Sequence, residues 1–358
     1  MNFLNSFSKK KVLITGHTGF KGSWLTMWLL KYGAEIIGYS LKPPTTPSLF
    51  EICKLRDKIV SIEGDIRDYE TLSNVFKKYK PEIVFHLAAQ PLVKRSYMEP
   101  AYTYETNIMG TVNVLEASRL TESVKVIVVV TSDKCYENKE WVYAYRETDS
   151  LGGVDPYSSS KACAELIVSA YRASYFKKSK VGVASVRAGN VIGGGDWAED
   201  RLMPDIIRAI MHNKPLQIRN PNATRPWQFV LEPLLGYLKL AHLLQKEPEK
   251  YSEAWNFGPL SFRLLKVIDI VEEVKKYWNN LEVKIEKENS FQEANVLKLD
   301  ISKSIEKLNW YPVYDIYTSI KETIEWYKAF YFKETEDMFE YSLTQIKKYE
   351  EYAKKYLE

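Results

Sequence analysis

At 358 residues the chain is longer than one hydrophobic core usually serves, so two lobes are expected, and 45% hydrophobic with 27% charged residues is a globular composition. Its 50 basic and 46 acidic side chains leave a net charge of +4, too near balance for a nucleic-acid binder. Scattered Cys53, Cys135 and Cys163 and four dispersed histidines speak against disulfides and a metal site, while Met1–Lys11 lacks a signal-like core and Val126–Val130 is too short for a bilayer, so a cytoplasmic protein is expected.

The first apolar run, Val12–Ile14, reads as a strand and leads into Gly16-His17-Thr18-Gly19-Phe20-Lys21-Gly22 and a helical stretch, Lys21–Tyr32. Further β-branched runs follow at Ile36–Tyr39, Ile59–Ile62, Ile83–Leu87, Val126–Val130 and Val181–Val186. Between them lie helical patterns at Tyr69–Tyr79, Ala101–Leu120 and Pro156–Phe176. Nearly continuous strands alternating with helices predict a doubly wound parallel sheet, a Rossmann-type α/β fold. After Gly189 the texture becomes irregular, with helices expected at Pro204–Met211, Glu232–Gln245 and Asp269–Trp278 and strands at Ala254–Phe257 and Val283–Lys287. The division that follows is a dinucleotide-binding domain over 1–189, with a return at 228–258, and a smaller mixed α/β substrate lobe over 190–334. A C-terminal segment, 335–358, places Phe339, Leu343, Ile346 and Tyr349 on one face of a packing helix.

The glycine turn predicts a dinucleotide site. Gly16 permits the tight turn, Gly19 lets a pyrophosphate approach, and Gly22 lets helix lie on strand, with Thr18 and Phe20 beside them. The helix N-terminus offers free N–H groups to the phosphates. The second strand ends Gly38-Tyr39-Ser40 without the usual carboxylate, and Lys42 is the nearest cation, so NAD and NADP are not distinguished there. Asp65 and Ile66 are candidates for an adenine clamp, and Ala88, Ala89 and Gln90 for the bed of the nicotinamide half; ordinary strand-end loops are the alternative for both.

Tyr157-Ser158-Ser159-Ser160-Lys161 has the YxxxK spacing, with Asp155 as helix cap and Pro156 in the first turn, which puts Tyr157 and Lys161 on one face. An ammonium beside a phenol lowers its pKa from about 10 and makes it a base for a sugar hydroxyl. Thr131-Ser132-Asp133-Lys134 ends the Val126–Val130 strand, where ligands bind in such sheets. Ser132 is a hydrogen-bond partner for the reacting hydroxyl, Asp133 a general acid and Lys134 a second proton carrier.

With these residues in view, the chain resembles the extended short-chain dehydrogenase/reductase superfamily, and within it the dehydratases of the CDP-sugar branch. Besides the stretches already quoted, Pro43-Pro44-Thr45 with Pro47–Glu51, Arg187–Trp197 and Asn220–Gln228 carry the resemblance, which spans essentially the whole chain. It implies NAD as cofactor and CDP-glucose as substrate. Hydride leaves C4 with Tyr157 as base, water is lost across C5 and C6 with Asp133 as acid, and hydride returns to C6. Related dTDP-sugar dehydratases carry Asp-Glu where this chain has Asp133-Lys134, so Lys134 takes the place of the C5 base. Asn190 is implied for the sugar or a phosphate, Arg225 for the pyrophosphate, and Arg201 and Arg219 as further substrate residues. The resemblance also implies a homodimer through a four-helix bundle of 101–120 and 156–176, and a product used for deoxysugars of bacterial surface polysaccharides. A 4-epimerase of the same fold, which needs Tyr157 and Lys161 but no acid at Asp133, is the nearest rival; an inactive NAD-binding protein is a distant one.

Overall fold

The computed structural model describes residues 1–218, 220–260, 265–278, 281–285 and 297–357. In chain order its elements are β1 (Lys11–Thr15), α1 (Phe20–Lys31), β2 (Glu35–Ser40), β3 (Val60–Glu63), α2 (Tyr69–Tyr79) and β4 (Ile83–His86). There follow α3 (Pro100–Tyr104), a π-turn at Glu105–Met109, α4 (Gly110–Arg119), β5 (Val126–Val130), α5 (Pro156–Tyr171) and β6 (Gly182–Ala188). The second half holds β7 (Val191–Ile192), α6 (Leu202–Met211), β8 (Leu216–Ile218), β9 (Gln228–Phe229), α7 (Leu231–Lys246), β10 (Ala254–Phe257), α8 (Val267–Tyr277) and β11 (Val283–Ile285). The chain closes with α9 (Ser302–Leu308), α10 (Ile316–Tyr331) and α11 (Met338–Leu357).

Seven parallel strands form one sheet in the order β10-β6-β5-β4-β1-β2-β3. Alternate residues of each strand point to opposite faces, so Val12 and Ile14 enter one apolar cluster while Leu13 enters the other. Strand order reverses between β1 and β4, and the crevice outside their carboxyl ends is where such sheets bind ligands. The two strands are tied there by Thr15 Oγ1 and His86 Nδ1, 2.7 Å apart.

The expected strand β10 joins the sheet edge beside β6 at the predicted residues. The larger cluster runs without a break from Trp24 and Trp28 of α1 through Leu234 of α7 to Trp326 of α10 and Ile346 and Tyr349 of α11. The segment limits at 189 and 334 are therefore not boundaries between cores. Phe339, Ile346 and Tyr349 are buried, as the tail pattern predicts, and Tyr349 meets the Trp28 ring edge-on at 5.8 Å. The expected strand Val283–Lys287 is found as β11, pairing with β8, up to Ile285; beyond that it lies outside the described residues.

Candidate active site

The glycine turn is forced by close approach. Gly16 has φ +76°, and a Cβ there would lie 2.7 Å from the Ala88 nitrogen; a Cβ on Gly22 would lie 2.1 Å from the Gly16 carbonyl oxygen. At Gly19 a Cβ would meet only that carbonyl oxygen, at 3.3 Å, and would fill open space at the start of α1. This is a cradle of the kind a dinucleotide phosphate needs. Beside it the Thr18 and Ser40 hydroxyls are 2.9 Å apart, in the place where a carboxylate was looked for. His17 turns away: its Nε2 bonds the Ser61 hydroxyl at 2.8 Å, and burial, with Arg56 nearby, lowers its pKa to about 4.

The turn opens on a cleft of about 1270 Å³ that also takes in Asp65, Ile66, Ala88, Ala89 and Gln90. The Asp65 carboxylate on the cleft wall is held in place by the Arg67 backbone N–H at 2.9 Å and by its guanidinium at 2.8 and 3.0 Å. Gln90 is 2% exposed, and its amide donates to the Leu92 carbonyl and the Thr103 hydroxyl and accepts from the Leu92 N–H. These bonds fix the shape of the loop that carries Ala88, Ala89 and Gln90 along the cleft.

On the other wall, Asp155 caps α5 by accepting the Ser158 N–H at 2.9 Å, and Pro156 occupies the first turn. Tyr157 and Lys161 are thereby set one turn apart, and both are buried. Ser132 accepts the Lys134 N–H at 3.2 Å and donates to Asp133 Oδ1 at 3.0 Å, on the cleft wall that Tyr157 also lines. Burial raises the Asp133 pKa against the pull of Lys134, Ser132, Arg225 and Lys21. Burial also pushes Tyr157 up to about 12; the Ser132 hydroxyl and the Arg201 charge oppose this, while Asp133 and Asp155 add to it. Lys161, expected to lower the phenol, is itself lowered to about 8 by burial, with Cys135 and Glu165 acting the other way.

Asn190 is exposed on the cleft wall and its carbonyl accepts the Gln228 N–H at 3.0 Å. Arg201 pairs with Asp196 at 2.9 Å, and its charge reaches Tyr157. Arg225 donates to the Thr224 carbonyl at 2.9 Å, and its charge reaches Asp133. The two arginines thus stand at the acid–base end of the cleft. Arg219 lies outside the described residues.

A family model described as GDP-mannose 4,6 dehydratase matches residues 13–323. The chain belongs to that family. It is 51% identical over 331 residues to CDP-glucose 4,6-dehydratase of Salmonella typhimurium, covering 91% of this chain and 92% of the relative. Among solved structures it is similar to an epimerase from Methanothermobacter thermautotrophicus, with a TM-score of 0.79 at 25% identity, covering 92% of this chain and 95% of that one. It is also similar in fold to dTDP-glucose 4,6-dehydratase from Bacillus anthracis in complex with NAD, with a TM-score of 0.74 at 22% identity, over 89% of this chain and 96% of that one.

Within this family member, the sequence reading passed over Lys21, Tyr237 and Glu165. Lys21 lies inside the glycine turn itself, lines the cleft, and has its pKa lowered to about 8 by burial, with Arg201 and Lys161 adding and Asp133 opposing. Its Nζ is 6.0 Å from the centre of the Tyr237 ring. A lysine between two phosphate-loop glycines was the available signal. Glu165 follows Lys161 by one helical turn, and that spacing was its signal.

Proposed function

We propose that the protein converts CDP-glucose to CDP-4-keto-6-deoxyglucose and water, with NAD held in the Gly16–Gly22 turn and the cleft beyond it. The observation that carries this reading is that Tyr157, Ser132 and Asp133 line one cleft, with the Ser132 hydroxyl bonded to a buried carboxyl whose pKa burial raises. Identity of 51% to a CDP-glucose 4,6-dehydratase supports the choice of substrate.

NAD, which Gly16, Gly19 and Gly22 at the start of α1 would hold, would supply hydride acceptance at C4 and hydride return at C6. Tyr157 takes the proton of the C4 hydroxyl, with Ser132 holding that oxygen. The resulting 4-keto group acidifies C5–H. Lys134, beside Asp133 on the cleft wall, stands in the place of the base for that proton. Asp133, whose hold on a proton burial strengthens, gives its proton to the C6 hydroxyl, which leaves as water. Lys134 returns its proton to C5 as C6 is reduced. Asn190 and Arg225 hold the nucleotide-sugar, with Arg201 in support. An epimerase has no step for an acid at Asp133.

The reading carries with it a cytoplasmic homodimer that feeds lipopolysaccharide deoxysugar synthesis. Exposed Tyr104, Met109, Leu166 and Tyr175 on the 101–120 and 156–176 segments support those helices as the dimer face. Among the described residues no helix is long and apolar enough to cross a membrane.

The test is incubation with CDP-glucose and NAD+, followed by alkali to develop the 4-keto-sugar chromophore. Tyr157→Phe should lower its formation on the order of 10² to 10⁴-fold while NAD+ still binds. A Tyr157→Phe variant with near-normal turnover removes Tyr157 from the mechanism.

A further inference from the structure

Beneath the catalytic residues lies a buried charged cluster that the chemistry above leaves unused. Tyr157, Lys161 and Glu165 follow one another at four-residue spacing along α5, on one helical face. The Glu165 carboxylate is 2% exposed and accepts three side chains: the Thr131 hydroxyl at 2.5 Å, the Ser185 hydroxyl at 2.7 Å and the Arg187 guanidinium at 2.8 Å. Arg187, 3% exposed, also donates to the Tyr136 phenol at 2.8 Å and to the Glu147 carbonyl at 3.2 Å. Thr131 immediately precedes Ser132 and Asp133, and Arg187 stands three residues before Asn190. One carboxylate therefore ties the helix of the base to the strand ends that carry the acid and a substrate residue. Replacing a buried ion pair by apolar side chains is often neutral for stability, so a pair in this place contributes something besides stability.

We propose that Glu165 is a positioning residue for this reaction, fixing the Ser132–Asp133 strand end against α5 and setting a negative charge one helical turn beyond Lys161. The inference rests on Tyr157 and Lys161 being the catalytic pair. The groups facing Lys161 are Glu165 on its own helix, Cys135 after β5, His86 on β4 and Lys21 of the glycine turn. Burial lowers His86 to about 3, so it is neutral, and burial pushes the Cys135 thiol well up, so it is neutral too. Lys21 is a second cation. Glu165 is thus the one carboxylate among the groups named, and without its charge the Lys161 ammonium is lost at lower pH.

The measurement is the pH dependence of C4 oxidation in a single turnover with CDP-glucose and NAD+. Glu165→Gln should move the alkaline limb down by on the order of one pH unit or more, with KM for CDP-glucose little changed. A folded Glu165→Gln whose alkaline limb coincides with that of the wild type overturns the inference; a merely structural carboxylate would not move that limb. Glu165→Gln strands the buried Arg187 charge, so the double variant Glu165→Gln with Arg187→Met, which leaves no buried charge unpaired, is measured beside it; its limb should move the same way by a smaller amount, since the opposing Arg187 charge goes too, and wild-type limbs in both variants overturn the inference. Thr131→Val cuts the strand-end bond to Glu165, together with the hydroxyl's 3.2 Å bond to the Val186 carbonyl, and should lower kcat while leaving KM and the limb in place; wild-type kcat there overturns the positioning half. Tyr157→Phe serves as control. If it still oxidises C4, the catalytic reading has failed; if it is inactive and the limb is unmoved, the Glu165 inference alone has failed.

Discussion

Burial acts on Asp133 and Tyr157 in the same direction, raising both, with opposite consequences. A raised carboxyl keeps its proton and is ready to donate it, whereas a raised phenol needs nearby positive charge before it accepts one. The two roles therefore separate in time, and a substitution at Asp133 should divide the reaction. Asp133→Asn keeps the shape but cannot deliver a proton at neutral pH. It should oxidise C4 and then stall, with enzyme-bound NADH absorbance accumulating in a single turnover and dehydrated sugar falling on the order of 10² to 10⁴-fold. Dehydrated product at the wild-type rate would remove Asp133 as the acid; neither product nor NADH would move its role to binding or C4 oxidation. The Tyr157–Lys161 and Ser132–Asp133 pairs are legible in sequence because each is a local spacing. The sign of the Tyr157 shift is not, since it depends on burial, and the Glu165–Arg187 pair bridges two elements that only the fold brings together.

At the scale of elements, the strands were legible because parallel strands covered on both faces are written as continuous β-branched runs, and β5 and β10 fall on the predicted residues. The 16-residue helix α10 was not assigned in sequence, although Asp315 caps it by accepting the Thr318 N–H at 2.7 Å. Its Ile320, Ile324 and Tyr327 are buried against long-range partners, so a short periodic run inside a polar stretch gave little sign of its importance. One buried carboxylate ties α7 to the C-terminal elements. Glu232, at the start of α7, accepts the Val313 N–H at 2.9 Å, the Tyr314 N–H at 2.6 Å and the Tyr349 phenol at 2.7 Å. Burial outweighs these bonds and raises its pKa to about 7. The folded state therefore holds a proton that the unfolded chain has lost above about pH 4.3. This contribution to stability is fully present at lower pH and is lost as pH rises through 7, on the order of 3 kcal/mol in all. Denaturant midpoints at pH 5 and pH 8 should differ in that sense in the wild type, and the difference should shrink in Glu232→Gln. An equal pH dependence in both proteins would mean that Glu232 titrates normally.

For the whole molecule, a single sheet supplies both halves of the site. The β1–β4 reversal opens the crevice for the dinucleotide, and the β5 end and α5 bring Asp133 and Tyr157 to its rim. The second half of the chain shares the sheet's core while carrying Asn190, Arg201 and Arg225 to the same cleft, so these proposed substrate residues are set by the packing that holds the glycine turn. This arrangement predicts that one hydride leaves and re-enters the same bound sugar. The most direct measurement uses CDP-glucose deuterated at C4, with NAD+, and locates the label in the product by mass and magnetic resonance. The account predicts a sugar lighter by one water, with the deuterium now at C6. A product of unchanged mass with the deuterium still at C4 and the configuration there inverted would contradict it, and would make the protein an epimerase.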